Sequence, residues 1–147
     1  MTRFIGVLML LAALPSASVA ETARAQFVVS AQVVPRVSLD ALIEPSSFTV
    51  TQADVERGYV DVRASYRVRN NDPAGYLLRF VPRTALAEGI VVTGLGSMVT
   101  VAGHSVEVVR PASMTPSRLD LGLRVMLDAG LAPGEYPLPL EVSAATY

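Results

Sequence analysis

The sequence has no cysteine and no lysine, and its one histidine is His104. Without cysteine there is no disulfide, no thiol nucleophile and no thiolate metal ligand. A single imidazole supplies neither a transition-metal site nor a nucleophile–base pair unless carboxylates provide everything else. His104 sits beside Gly103 in a turn pattern and reads as a solvated turn residue. All the basic residues are arginine, twelve against thirteen acidic, so the charge balance gives no general attraction to nucleic acid. Long apolar runs are also scarce. The one run, Phe4–Leu14, is eleven residues, well short of the roughly 20 that cross a bilayer.

That run follows Met1-Thr-Arg3 and precedes Pro15-Ser-Ala-Ser-Val-Ala20, the charged, apolar and small-residue regions of a secretory signal peptide. Residues 1–20 are therefore expected to be removed at Ser18-Val-Ala20, with Ala23-Arg-Ala25 as the alternative end. Removing 20 of the 147 residues leaves 127, one domain with one core, and eleven arginines against thirteen acidic residues, a net charge of about −2. The mature chain has no segment long enough to span a membrane as a helix, and an exported location follows: periplasm, cell surface or extracellular space.

The mature residues alternate in hydropathy with a period of two. Gln26–Val34 places Phe27, Val29, Ala31 and Val33 on one face and ends at Pro35. Asp40–Ser47, with Pro45, reads as a connection to a short strand at Phe48–Thr51, and Gln52–Arg57 as one helical turn. From Gly58 onward Val60, Val62, Ala64, Tyr66 and Val68 face inward, while Tyr59, Asp61, Arg63, Ser65, Arg67 and Arg69 face outward. Asn70-Asn-Asp-Pro-Ala-Gly75 is a turn, and Tyr76–Pro82 returns with Tyr76, Leu78 and Phe80 inward. Strands are expected at Gly89–Thr93, Met98–Val101 and Ser105–Val109. The last stretch reads as a hairpin: Leu119, Leu121, Leu123, Val125 and Leu127 alternate, turns at Asp128–Gly130 and Pro133-Gly134 follow, and Tyr136, Leu138, Leu140 and Val142 alternate again. Pro137 and Pro139 remove amide donors from one side of this last strand and mark a free edge there. The pattern predicts an all-β fold, an immunoglobulin-like antiparallel β-sandwich of seven to nine strands over residues 26–147.

Catalytic chemistry finds no support in these residues. Gly94-Leu-Gly-Ser97 lacks the spacing of a nucleophile elbow. Asn70, Asn71 and Asp72 offer three side chains where calcium takes six to eight oxygens. Asp54, Glu56 and Asp61 have no reason to converge as an acid–base pair. The sequence therefore reads as non-enzymatic, with no cofactor. One electrostatic feature remains: Arg63, Arg67 and Arg69 share a strand face, and Arg79 is expected across from them on the next strand. This stripe is either a solvated outer face or a site for an anionic glycan or phosphate.

Two stretches carry a family resemblance: Phe27-Val-Val-Ser-Ala-Gln-Val33 after the signal peptide and Pro133-Gly-Glu-Tyr-Pro-Leu-Pro-Leu-Glu-Val142 near the end. In these the chain resembles the spore coat protein U family of secreted bacterial proteins, related to chaperone–usher pilins. It is similar to those pilins also in Gly134, fourteenth from the C-terminus, and in the aromatic Tyr147. It departs from the family in having Pro35-Arg36 where a cysteine is usual. The resemblance implies a surface subunit whose incomplete sandwich takes a strand from a periplasmic chaperone and then from the next copy, delivered by an outer-membrane usher. Residues 26–34 would be the donor, and the strand from Gly134 to Tyr147 the acceptor. The alternatives that stay open are that residues 26–34 belong to the chain's own fold, and that the protein is a monomeric binding module for a glycan or other surface ligand.

Overall fold

The computed structural model describes residues 28–83 and 87–147. Residues 33–147 form one compact unit, and the described residues before them are treated separately. The signal-peptide segment and Phe27 lie outside the described residues.

The compact unit contains ten strands: β1 (Val37–Ile43), β2 (Ser47–Val50), β3 (Tyr59–Asn70), β4 (Tyr76–Pro82), β5 (Ala87–Thr93), β6 (Val99–Val101), β7 (Val106–Arg110), β8 (Ser117–Leu127), β9 (Gly134–Pro137) and β10 (Leu140–Ala145). They build an antiparallel β-sandwich. One sheet has the order β1-β3-β8-β5-β6, a second β10-β4-β7, and β2 pairs with β9 in a two-stranded ribbon. The inward residues read from the alternation fill the space between the sheets: Val60, Val62, Ala64, Tyr66 and Val68 from β3, Leu119 to Leu127 at alternate positions from β8, and Tyr76, Leu78 and Phe80 from β4. Burying apolar area of this kind is the main favourable term available to a chain without disulfides.

Between β2 and β3 lies α1 (Gln52–Arg57), a short helix closed at both ends. The Thr51 backbone N–H donates to the Asp54 carboxylate at 2.9 Å, and the Asp54 N–H donates to the Thr51 hydroxyl at 3.3 Å, a reciprocal cap. Gly58, at φ 82°, ends the helix in the left-handed region. The Thr51 hydroxyl, which donates to the Asp54 carboxylate at 2.6 Å, and after it the Thr51 N–H hold the Asp54 carboxyl below the ordinary carboxylate range.

Several expectations are corrected. Residues 28–34 form no strand, and Val28, Val29, Val33 and Val34 are exposed. Alternation supplies a hydrophobic face, but it makes a strand only where a neighbour completes the ladder. Residues 40–43 are strand rather than connection. Pairing with β3 extends β1 to Ile43, and Val37 and Leu39 pack on the core.

The terminal hairpin does not exist. β8 runs between β3 and β5, and the last stretch divides between two other partners: β9 pairs with β2, and β10 with β4. The division falls at Leu138-Pro139, where the Leu138 N–H donates to the Ser46 carbonyl and Pro139 accepts from the Arg83 N–H, each at 2.9 Å. Pro139 is buried rather than outward. Ser65, expected outward, is also buried, because Arg118 and Asp120 on the adjacent strand close over its hydroxyl.

Candidate functional site

Two regions gather the candidate residues. The first is the edge formed by the last strands. Gly134 and Tyr136 lie on β9, where Tyr136 faces Phe48 of β2 with ring centroids 6.2 Å apart. The Tyr136 hydroxyl donates to the Ala132 carbonyl at 2.7 Å. Leu138 and Leu140 are buried in the core and Val142 is half-buried, while Tyr147 is exposed beyond the end of β10. β10 has β4 on one side only, so its other edge is unpaired within the sheet. That edge runs beside β1, which is likewise an edge strand. Val37 and Leu39 of β1 and Val142 and Ala144 of β10 are half-buried and pack against the core. The proposed donor residues Val29, Ala31 and Val33 belong to no strand, and all three are exposed.

The second region is the outer face of the five-stranded sheet. Strand register lays its side chains out in rows. Asp40, Arg67 and Arg118 form one row, Ser65 and Asp120 part of the next, then Arg63, Gly122 and Thr93, then Asp61, Arg124 and Val91. The face carries five arginines, with Arg69 among them, against three aspartates, a net charge of +2. Residues 28–147 as a whole carry ten arginines and twelve acidic residues. Ion pairs join Arg69 to Asp40 at 3.4 Å, Arg118 to Asp120 at 2.8 Å and Arg124 to Asp61 at 2.8 Å. Arg63 and Arg67 have no carboxylate within ion-pair distance among the described residues.

The Ser65 hydroxyl, followed by Arg118, holds the Asp120 carboxyl below its ordinary range, and Arg124 does the same for Asp61. Those aspartates thus stay ionised and committed to their partners. Arg124 also stacks over the Tyr59 ring, its guanidinium 4.1 Å from the centroid.

Arg79 does not complete this stripe. It projects from β4 in the other sheet, which pairs with β7 and β10 and never with β3, and it is bound to Glu107 at 2.8 Å. Sequence adjacency of β3 and β4 had suggested pairing, but their connection crosses from one sheet to the other. On that second sheet both Arg79 and Arg83 have carboxylate partners, Glu107 and Glu141. The residues that sequence reading missed are Arg118, Arg124 and Gly122 of β8. Their outward position was legible in the alternation, but their juxtaposition with Arg63 depends on β8 pairing with β3.

His104 lies exposed in the turn between β6 and β7. Among the described residues no group of three His, Asp or Glu side chains stands close enough to share a metal ion, and no helix is long and apolar enough to cross a membrane. The oxygens of Asn70 and Asp72 serve the turn itself: Asp72 N–H donates to Asn70 Oδ1 at 3.0 Å and Ala74 N–H to Asp72 Oδ1 at 2.9 Å. Comparison with family models, with curated proteins and with solved structures finds no match for this chain.

Proposed function

We propose that the protein is an exported, non-catalytic structural subunit of a bacterial surface or pilus-like assembly, joined to its neighbours by strand exchange. The observation that carries this reading is that β10 is an edge strand, paired with β4 alone, with Val142 and Ala144 half-buried against the core at alternate positions. An open edge with apolar positions at every second residue is what an added strand recognises: main-chain hydrogen bonds give affinity and alternate side chains give register. Residues 26–34 supply a matching alternation, and the described part of that segment is unpaired and exposed. The resemblance at both ends of the chain adds a periplasmic chaperone, an outer-membrane usher and further copies of the subunit as partners.

Deleting residues 21–34 tests the mechanism. A truncated subunit that stays folded, binds an added peptide of residues 26–34 and does not polymerise is the expected result. A truncated subunit that unfolds, or one that ignores the peptide, overturns strand exchange. A monomeric exported binding module is the second reading, favoured by Arg63 and Arg67, which have no carboxylate partner among the described residues, on the outer face of the larger sheet.

A further inference from the structure

Glycine in the interior of a strand weakens it and often marks a place where another molecule approaches the backbone. Gly122 occupies such a position, on β8 between Arg63 of β3 and Thr93 of β5. A Cβ there would lie 2.6 Å from the Thr93 hydroxyl oxygen, so a side chain at this point displaces Thr93. The Thr93 hydroxyl takes that place and donates to the Gly122 carbonyl at 3.2 Å, so nothing taller than a threonine stands at this point of the sheet. Two open hollows meet at this row, one of about 510 Å³ reaching past Ser65 to Arg118, the other of about 310 Å³ reaching Arg124 and Met98. Arg63, Thr93 and Gly122 line both. Together the hollows make a trough along β8, and the six steps from Arg118 to Arg124 span roughly 20 Å of it at strand rise.

The charges along the trough differ in what holds them. Arg118 and Arg124 at its ends are bound to Asp120 and Asp61. Arg63 between them has no carboxylate partner among the described residues, and Arg67 stands in register between Asp40 on one side and Arg118 on the other. Like charges side by side across strands are destabilising, and on the opposite sheet Arg79 and Arg83 are both neutralised. We infer that this trough binds a linear acidic polysaccharide through its carboxylates, with Arg63 as the central contact. A planar guanidinium takes a carboxylate through two parallel hydrogen bonds. The low surface at Gly122 and Thr93 leaves room for a sugar ring beside Arg63, and the Thr93 hydroxyl, which donates to the Gly122 carbonyl at 3.2 Å, is left to accept a hydrogen bond from it. Binding here needs neither the β10 edge nor residues 26–34, so it stands or falls separately from strand exchange.

The test is calorimetric titration of the mature protein with polygalacturonate oligomers, polyphosphate and neutral dextran at two salt concentrations. Polygalacturonate is expected to bind, more weakly at higher salt, and dextran not to bind. Arg63→Ala should weaken the complex at least tenfold, Arg63→Lys should recover only part of that loss, and Arg79→Ala should leave affinity unchanged. Circular dichroism of each variant separates lost binding from lost folding. No binding of polygalacturonate, unchanged affinity in folded Arg63→Ala, or an equal loss in Arg79→Ala would overturn the site. Polyphosphate binding as tightly as polygalacturonate would overturn the carboxylate assignment.

Discussion

Asn71 and Arg36 face each other one rung beyond the β1–β3 ladder, joined by two hydrogen bonds. The Asn71 backbone N–H donates to the Arg36 carbonyl at 3.1 Å, and the Arg36 N–H donates to Asn71 Oδ1 at 2.5 Å. The Asn71 amide also donates to the Val34 carbonyl at 3.1 Å, so one side chain clasps the backbone on both sides of Pro35. This clasp fixes where the N-terminal segment leaves the sheet.

Asn71→Ala should therefore release the exit point while leaving the core intact. A net hydrogen bond is worth about 1 kcal/mol, so hydrogen exchange at the Arg36 amide should speed up about fivefold to tenfold. Exchange at core amides of β3 and β8 should change much less. Unchanged exchange at Arg36 would show that the clasp does not hold in solution.

The face assignment of β3 predicts opposite outcomes for adjacent residues. Val68 is 2 % exposed and packed in the core, whereas Arg67 is exposed. Val68→Asp places an unpaired charge in apolar surroundings and should abolish folding. Arg67→Ala should cost on the order of 0.5 kcal/mol or less, and relief of its repulsion with Arg118 offsets part of that cost. Equal losses for the two variants in a denaturant titration would contradict the assignment.

Tyr66 couples the core to alkaline pH. Its ring is buried, its hydroxyl donates to Glu44 Oε1 at 3.0 Å, and burial, followed by the Glu44 carboxylate, raises the phenol well above its ordinary value near 10. Between the unfolded and the folded pKa the folded protein keeps a proton that the unfolded chain has lost, so stability falls as pH rises above about 10. Tyr66→Phe should lose about 1 kcal/mol at neutral pH and show a shallower decline above pH 10. Identical alkaline melting curves for the two proteins would exclude this coupling.

Period-two alternation of single strands was legible because it is local: Val60 to Val68 and Leu119 to Leu127 point inward whatever their neighbours are. The same holds for the turn at Asn70–Gly75, since Asn70 and Asp72 act within one loop. The antiparallel sandwich follows from many such strands with short connections and no long helix. Pairing is not local, and tertiary structure decided it. Leu119–Leu127 and the last stretch look like a hairpin in sequence, yet β8 finds longer partners in β3 and β5, while β9 and β10 go to β2 and β4. The same choice moved Arg79 to the opposite sheet and brought Arg63, Arg118, Arg124 and Gly122 together. Residues 28–34 show the converse. Val29, Ala31 and Val33 alternate with Ser30 and Gln32, but hydrophobic pattern alone supplies only a face, and a strand also needs a neighbour to receive its hydrogen bonds.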